Sequence, residues 1–192
     1  MRIITGTARG AVLNTLEGEA TRPTPAKVKE ALFSSIQFDI EGRSFLDLFA
    51  GSGQMGLEAL SRGASCATFI DASQDSIAIV KENAKKTGFF DASHFLASDY
   101  RNYIRKASGR DAFDIVFIDP PYAQRLAADA VERLLAASLL KPGATVITES
   151  EEEDIFEGRE SLSSHFTVLK RKKYGRSYIT ILQRIVTEDE TV

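Results

Sequence analysis

Apolar runs and segments with helical periodicity alternate along most of the chain. Seven short runs rich in Val, Ile, Leu and Phe are bounded by turn residues, which predicts seven β-strands. These runs lie at residues 44–48, 67–70, 93–97, 113–118, 144–149, 166–173 and 178–185. Amphipathic segments between the first five predict helices at residues 53–62, 73–86, 100–106 and 126–137. This alternation predicts an α/β fold whose mixed, mostly parallel seven-stranded sheet has helices on both faces.

Residues that terminate helices and strands refine this prediction. Ser73 is expected to cap the helix at 73–86, and Gly88 to end it. A turn is expected at 141–143, where Pro142 and Gly143 precede the fifth strand. The last two strands are expected to form a hairpin that turns at 174–177.

The residues before the first sheet strand predict a small extension of the main domain. Segments 2–5 and 12–16 are expected to pair as a hairpin. Thr24-Pro25 has the pattern of a helix cap followed by a proline in the first helical position, with the helix running to about Ile36. One apolar face of this helix is expected to contain Val28, Ala31, Leu32, Ser35 and Ile36. We therefore expect an extension at 1–40, a main domain at 41–186 and an acidic tail at 187–192.

The net charge, the single cysteine and the short apolar stretches argue against a polycation, a disulfide-stabilised protein and a membrane-spanning protein. The net charge is −3, so binding to nucleic acid would depend on local basic patches. Residues 166–186 form such a patch, with six cations and no acid, although lysines there also suit a solvated sheet edge that resists aggregation. The single Cys66, expected to be buried, cannot form an intramolecular disulfide, and no apolar stretch is long enough to span a bilayer. We expect a cytoplasmic protein without a metal site.

A glycine loop follows the first sheet strand and has two interpretations. Gly51, Gly53 and Gly56 match the G-x-G-x-x-G fingerprint of dinucleotide-binding proteins, and Asp71 follows at the end of the next strand. Glycines there indicate a ligand that approaches the backbone closely, and the acid indicates a ribose. Both NAD and S-adenosylmethionine (SAM) meet these requirements.

Two further acids favour SAM over NAD. Asp47 precedes the glycine loop, where it can face the ammonium of the methionine moiety. Asp99 follows the third strand, where it can accept a hydrogen bond from the adenine amine. Each of Asp71 and Asp99 alone also suits a helix cap. Acids at three successive strand ends are better explained by one extended ligand that carries an ammonium group, a ribose and an adenine amine.

The tetrapeptide Asp119-Pro120-Pro121-Tyr122 follows the fourth strand. The two prolines lack backbone donors and stiffen the chain, while their carbonyl groups remain acceptors. A carboxylate, rigid carbonyl groups and an aromatic ring suit a planar group that bears an NH2. This chemistry indicates an exocyclic amine as the acceptor and does not identify which base carries it.

These motifs resemble those of class I SAM-dependent methyltransferases that act on exocyclic amines. Nearly the whole chain is similar to the RsmD family, bacterial methyltransferases that modify guanine N2 in 16S rRNA. Four segments carry this similarity: residues 6–10, residues 22–24 with 28–33, residues 47–64, which include the glycine loop, and Tyr174-Gly175.

The resemblance implies a Rossmann-like fold, SAM as cofactor, and methylation of one specific guanine in 16S rRNA within an assembled or assembling 30S particle. We also expect a monomer that binds neither DNA nor a membrane, although the sequence itself carries no signal for the oligomeric state. The residues expected to take part in catalysis are Asp119, Pro120, Pro121 and Tyr122. Cofactor contacts are expected from Asp47, Phe49, Ala50, Gly51, Ser52, Gly53, Asp71, Ala72, Asp99, Tyr100 and Thr24. RNA contacts are expected from Arg2, Arg9, Arg22, Lys27 and Arg176.

Three alternatives remain at this point. An adenine-N6 DNA methyltransferase can share the tetrapeptide, but it needs a target-recognition insert for which this chain has no room. A nucleotide-dependent oxidoreductase leaves residues 119–122 unexplained. A non-catalytic RNA-binding or assembly factor would retain the fold and bind the donor without turnover.

Overall fold

The computed structural model describes residues 1–16, 25–110, 112–121, 126–187 and 190. Its seven strands form one mostly parallel sheet with intervening helices, which confirms the predicted α/β Rossmann-like fold. The strands are β1 (Ser44–Asp47), β2 (Cys66–Asp71), β3 (Ser93–Ala97), β4 (Phe113–Ile118), β5 (Leu140–Ser150), β6 (Phe166–Tyr174) and β7 (Ser177–Arg184). The helices are α1 (Ala26–Ser35), α2 (Gln54–Ser61), α3 (Gln74–Thr87), α4 (Tyr100–Ala107), α5 (Leu126–Ala136) and α6 (Glu160–Ser163), with a 3-10 turn at Phe90–Ala92.

Contacts divide the chain into two compact units, Met1–Tyr100 and Arg101–Val192. In the first unit the strand order is β3-β2-β1, and both pairs are parallel. Asp47 is in register with Phe69, and Asp71 with Ala97, so these strands end along one edge of the sheet. That edge brings together Asp47 and Asp71, the last residues of β1 and β2, and Asp99, which follows β3.

The second unit contains the order β4-β5-β7-β6. The β4–β5 pair is parallel, whereas β7 runs antiparallel to both β5 and β6. The predicted closing hairpin is confirmed, and Tyr174 pairs with Ser177 across a turn formed by Gly175 and Arg176. Within the described ranges, no helix has the length and apolar character needed to cross a membrane.

The predicted ends of α3 are confirmed. The Ser73 hydroxyl accepts a hydrogen bond from the Ser76 amide at 3.1 Å and so satisfies one of the unpaired donors at the helix start. Gly88 ends the helix in the left-handed conformation, with φ of 79°. Local side-chain chemistry therefore sets both ends of this helix.

The prediction of a turn at residues 141–143 is wrong. β5 begins at Leu140 and continues through this segment. Phe113 pairs with Leu140, but Ile115 pairs with Thr145, so four β5 residues lie opposite one residue of β4. Pro142 and Gly143 therefore occupy a bulge within the strand, where an unpaired proline nitrogen is tolerated. The sequence pattern alone does not distinguish a bulge from a turn.

The expected start and face of α1 also need correction. Pro25 precedes the helix, which begins at Ala26, and the expected cap Thr24 lies outside the described residues. Ser35, expected on the apolar face, is exposed, whereas Phe33 is fully buried. The paired N-terminal strands reduce to one bridge between Arg2 and Val12.

The single thiol is also less enclosed than expected. Cys66 is half-buried at the start of β2, not fully buried. The neighbouring Ser65 is exposed and lies 4.0 Å from the sulfur through its hydroxyl. The start of the strand is therefore closer to the protein surface than its apolar sequence indicates.

Candidate functional site

The loop between β1 and α2 depends on its glycines for steric reasons. Gly51 and Gly53 have φ angles of 53° and 77°, in the left-handed region that favours glycine. A Cβ atom on Gly53 would lie 2.8 Å from Val80 Cγ1, and one on Gly56 would lie 2.3 Å from Phe69 Cε1. The backbone here therefore packs closely against α3 and β2, whereas a Cβ atom on Gly51 would meet no atom within 4 Å, which leaves open space at that end of the loop.

Asp47 holds the start of α2 in place. Its carboxylate is 1% exposed and accepts a hydrogen bond from the Gly56 amide at 3.0 Å. Burial raises the pKa of Asp47 to about 7, the bond from Gly56 opposes this shift, and the charge of Asp71 adds to it. The geometry makes Asp47 a positioning residue, and its expected contact with a ligand ammonium stays a prediction.

Asp71 joins the glycine loop to the end of β2. Its Oδ2 atom accepts a hydrogen bond from the Gly51 amide at 2.8 Å, and its Oδ1 atom accepts one from the Ser73 amide at 2.8 Å. The side chain is only half-buried. Its carboxylate thus fixes the loop and remains partly accessible to a donor such as a ribose hydroxyl.

Two aromatic rings, Phe49 and Tyr100, pack together at this edge of the first unit. The Phe49 and Tyr100 rings lie 5.2 Å apart at 47°, and Tyr100 is 4% exposed. Asp99, which precedes Tyr100, and Ala72, which follows Asp71, are both exposed. Of the predicted cofactor residues in this unit, the structure therefore brings those that it describes to one sheet edge, whereas Thr24 lies outside the described residues.

Asn83 on α3 is a site residue that sequence reasoning missed. It is fully buried, and its Nδ2 atom donates to the carbonyl oxygens of Ser52 at 2.9 Å and Asn14 at 3.0 Å. Its Oδ1 atom accepts from the Asn14 amide at 2.7 Å. Asn83 therefore links the glycine loop to the N-terminal segment. The signal was a polar residue beside Val80 and Ala84 on the buried side of a helix.

In the second unit, Asp119-Pro120-Pro121 directly follows β4. Pro120 is buried, Asp119 is half-buried and Pro121 is exposed, while Tyr122 lies outside the described residues. A cavity of about 860 Å³ lies beside the two prolines. Its lining consists of Pro120, Pro121, Leu126, Ala127, Glu149, Ser150, Glu151, Glu152, Glu153, Asp154, Glu157 and Arg171. This volume is within the range of small-molecule sites.

The predicted RNA-binding residues fall in both units. Arg2, Arg9 and Lys27 are exposed in the first unit, and Arg176 is exposed in the β6–β7 turn. Arg22 lies outside the described residues.

Lys29 is a further cation of the N-terminal segment, but its burial removes it from any RNA-binding surface. It is 1% exposed and lies 2.9 Å from Glu58 in a buried ion pair. In the described part of the chain, no group of three or more His, Cys, Asp or Glu side chains is placed to hold a metal ion.

The mostly parallel seven-stranded sheet, with its glycine loop after β1 and acids at successive strand ends, defines the class I methyltransferase fold. The family model described as "Conserved hypothetical protein 95" matches residues 1–183. The chain belongs to this family, and the resemblance to the RsmD methyltransferases is confirmed.

Two named relatives and one solved structure agree with this assignment. "Ribosomal RNA small subunit methyltransferase D" of Haemophilus influenzae is 34% identical over 176 residues, which cover 91% of this chain and 89% of the relative. The protein of the same name from Escherichia coli K12 is 30% identical over 184 residues, covering 96% and 90%. A solved structure, "Putative methyltransferase yhhF" from Escherichia coli, is 29% identical with a TM-score of 0.85, covering 97% and 99%.

Proposed function

We propose that this protein transfers a methyl group from SAM to the exocyclic N2 of one guanine in the 16S rRNA of the small ribosomal subunit. The relatives named as small-subunit rRNA methyltransferases support the reaction class and the RNA substrate. The observation that carries the proposal is the Asp119-Pro120-Pro121 segment, which directly follows β4 and adjoins a cavity. The reaction of a nucleotide-dependent oxidoreductase does not require this segment.

The first unit provides groups that suit SAM. Asp71 offers a half-buried carboxylate to the ribose hydroxyls, and the glycines at 51 and 53 permit close approach of the backbone. Asp99 would accept from the adenine amine, with the Phe49 and Tyr100 rings beside it. Thr24, Ala50, Ser52 and Ala72 complete the proposed set, and Asp47 holds the start of α2 through the Gly56 amide. Bound SAM supplies the electrophilic methyl group.

The segment after β4 would activate and orient the amine of the acceptor. The guanine N2 lone pair is delocalised into the ring, so the amine is a poor nucleophile. The Asp119 carboxylate and the Pro120 carbonyl would each accept a hydrogen bond from one of the two N–H groups of this amine. These hydrogen bonds stabilise the positive charge that develops on nitrogen. Fixing the amine in position lowers the entropic cost of the encounter. The excess proton then passes to Asp119 or to water.

The Tyr122 ring would stack on the target base, and Pro121 would shape the turn. A base inside a duplex cannot enter such a pocket, so the target is single-stranded or flipped out. We further propose that a cytoplasmic monomer acts on a 30S particle whose proteins share the docking, with RNA contacts from Arg2, Arg9, Arg22, Lys27 and Arg176. The net charge of −3 is consistent with a substrate bound through local patches.

The decisive experiment compares Asp119→Ala with Asp114→Asn. Asp114 lies on β4, the strand that Asp119 follows, and pairs with Lys141 at 2.7 Å, so its substitution removes another carboxylate from the same part of the chain. Each purified variant receives tritiated SAM and small subunits from a strain that lacks the gene. We expect Asp119→Ala to lose at least about 100-fold in rate, as for the loss of a transition-state hydrogen-bond partner. Asp114→Asn should stay within about two-fold of wild type.

Mass spectrometry of the digested rRNA identifies the product. The proposal expects one additional N2-methylguanosine. N6-methyladenosine would instead establish the adenine alternative. Donor binding by calorimetry without transfer to any RNA would support the non-catalytic alternative. Near wild-type transfer by Asp119→Ala would contradict the proposed role of Asp119.

A further inference from the structure

The turn end of the β6–β7 hairpin combines three cations with two aromatic rings. Lys172 Nζ lies 5.3 Å from the centre of the Tyr174 ring, and Lys173 Nζ lies 5.0 Å from that of Tyr178. Arg176 is exposed in the turn itself. We call these five residues the hairpin tip. Each lysine is held over a ring, where the cation–π attraction stabilises its position and leaves the ammonium accessible to another partner.

The cations of the hairpin tip are presented on both faces of an edge strand. β6 ends the strand order of the sheet. Lys172 is in register with Ile179 and Lys173 with Tyr178, and successive residues of a strand point to opposite faces. Both lysines and Arg176 are exposed. A partner that follows the end of the hairpin therefore meets positive charge on either side.

Acids near the hairpin neutralise its inner part more than its tip. Residues 166–186 contain no Asp or Glu. Arg171, which lies one residue before the hairpin tip, forms an ion pair with Asp154 at 3.2 Å. Glu153 accepts a hydrogen bond from the Tyr178 hydroxyl at 3.2 Å, so one acid borders the Tyr178 side. The Lys172–Tyr174 side and the turn keep the stronger positive charge.

We propose that the hairpin tip is a docking surface for the sugar–phosphate backbone of the rRNA substrate. The proposal deepens the proposed function and rests on it. The lysines and Arg176 would contact phosphates, which position an RNA without reading its sequence. The Tyr174 ring, with its lysine partner, suits stacking on an unpaired base that leaves the helix. Lysines that only protect a sheet edge from aggregation would not contribute to RNA affinity.

The test is the triple variant Lys172→Gln/Lys173→Gln/Arg176→Gln against a matched control. The control is Lys81→Gln/Lys85→Gln/Lys86→Gln on α3, three exposed lysines, two of which also lie over rings, at 5.9 Å from Phe95 and 5.1 Å from Phe90. Both variants lose three positive charges. The measurements are KM and kcat on small subunits lacking the modification, SAM affinity by calorimetry, and the salt dependence of binding to deproteinised 16S rRNA.

The hairpin variant should raise KM at least about ten-fold at 0.1 M salt. It should also reduce the slope of the logarithm of the RNA association constant against the logarithm of the salt concentration by about 2, since each lost phosphate contact contributes about 0.7–0.9. SAM affinity and kcat at saturating substrate should change less than about two-fold, and the control should match wild type. Tyr174→Ala should also raise KM, and Tyr174→Phe should restore it, because the ring and not the hydroxyl stacks.

Two results would overturn the proposal. One is an equal KM and salt slope for the hairpin and control variants while wild type methylates normally. The other is a KM effect on small subunits without any change in binding to deproteinised rRNA, which would assign the hairpin tip to a ribosomal protein. Failure of the wild type to methylate small subunits would instead contradict the proposed function, so the two failures are distinguishable.

Discussion

Lys29 and Glu58 form an ion pair that is shielded from solvent, with 2.9 Å between Nζ and Oε2 and side-chain exposures of 1% and 0%. Glu58 also accepts hydrogen bonds from the Ile4 and Thr5 amides at 2.8 and 3.0 Å, and from Arg62 Nε at 2.9 Å. Glu58 belongs to α2, the helix that starts at the glycine loop. The N-terminal segment is therefore attached to the helix that supports the proposed cofactor site.

The two partners of this pair should contribute unequally to stability. Glu58→Ala leaves the Lys29 charge buried and removes the acceptor of two amides, so we expect a loss of about 3–5 kcal/mol in the free energy of unfolding. Burial already lowers the pKa of Lys29, with Glu58 opposing that shift, so loss of Glu58 favours neutral lysine. Lys29→Met should cost clearly less, because Glu58 keeps Arg62 and both amides. Urea unfolding measures both.

An exposed pair provides the control for this comparison. Arg133 and Asp129 are four residues apart on α5 and lie 2.8 Å from each other, but Arg133 is 46% exposed. Arg133→Ala should cost less than about 1 kcal/mol, because water screens the pair. Equal losses for Glu58→Ala and Lys29→Met would contradict the view that the backbone bonds make Glu58 the more important partner.

Asp47 should make stability depend on pH. Its pKa is about 7 in the folded protein against 3.8 in the unfolded chain. Between these values the unfolded chain loses the proton and the folded protein keeps it, so stability falls as pH rises toward 7 and then levels off. The full difference is about 4 kcal/mol at most.

Replacement of Asp47 by Asn isolates this contribution. Asn has no ionisable group, and its carbonyl oxygen can still accept the Gly56 amide hydrogen. Urea unfolding of both proteins from pH 5 to pH 8 should show the stability difference shifting in favour of the variant as pH rises. Parallel curves over that range would show that Asp47 does not titrate there.

Gly56 should be intolerant of any side chain for a steric reason, not a conformational one. It lies inside α2, but an added Cβ would meet Phe69 Cε1 at 2.3 Å. Phe69 is fully buried and stacks on Phe95 at 5.7 Å between ring centres, so it cannot move aside easily. We expect Gly56→Ala to cost about 1–3 kcal/mol and to weaken SAM binding through displacement of the loop, measured by unfolding and calorimetry.

A second substitution tests the cause of that loss. Phe69→Leu removes the ring atoms that the added Cβ would meet. The double variant Gly56→Ala/Phe69→Leu should therefore be less destabilised than the sum of the two single variants. Strict additivity of the two losses would indicate that the clash with Phe69 is not the cause.

Local signals predicted what depends on neighbouring residues in the chain. Ser73 and Gly88 set the ends of α3, because a hydroxyl cap and a left-handed glycine act within one turn. The bulge at residues 141–143 was not predictable, because its geometry depends on pairing with Phe113 on another strand. Similarly, the sequence around Lys29 is typical of a surface cation. Its burial was not predictable, because its partner Glu58 is distant in sequence.

The sequence by itself determined the order of strands and helices, the glycine loop, and the acids and prolines at the strand ends, because periodicity and turn chemistry are local. It also established the family through the motifs that carry the resemblance. Only the tertiary structure decided what those groups contact. It buried Asp47 against the Gly56 amide, joined Asp71 to Gly51, and brought Asn83 to the loop. Burial and hydrogen bonding depend on segments that are far apart in the chain and become neighbours only when the sheet forms.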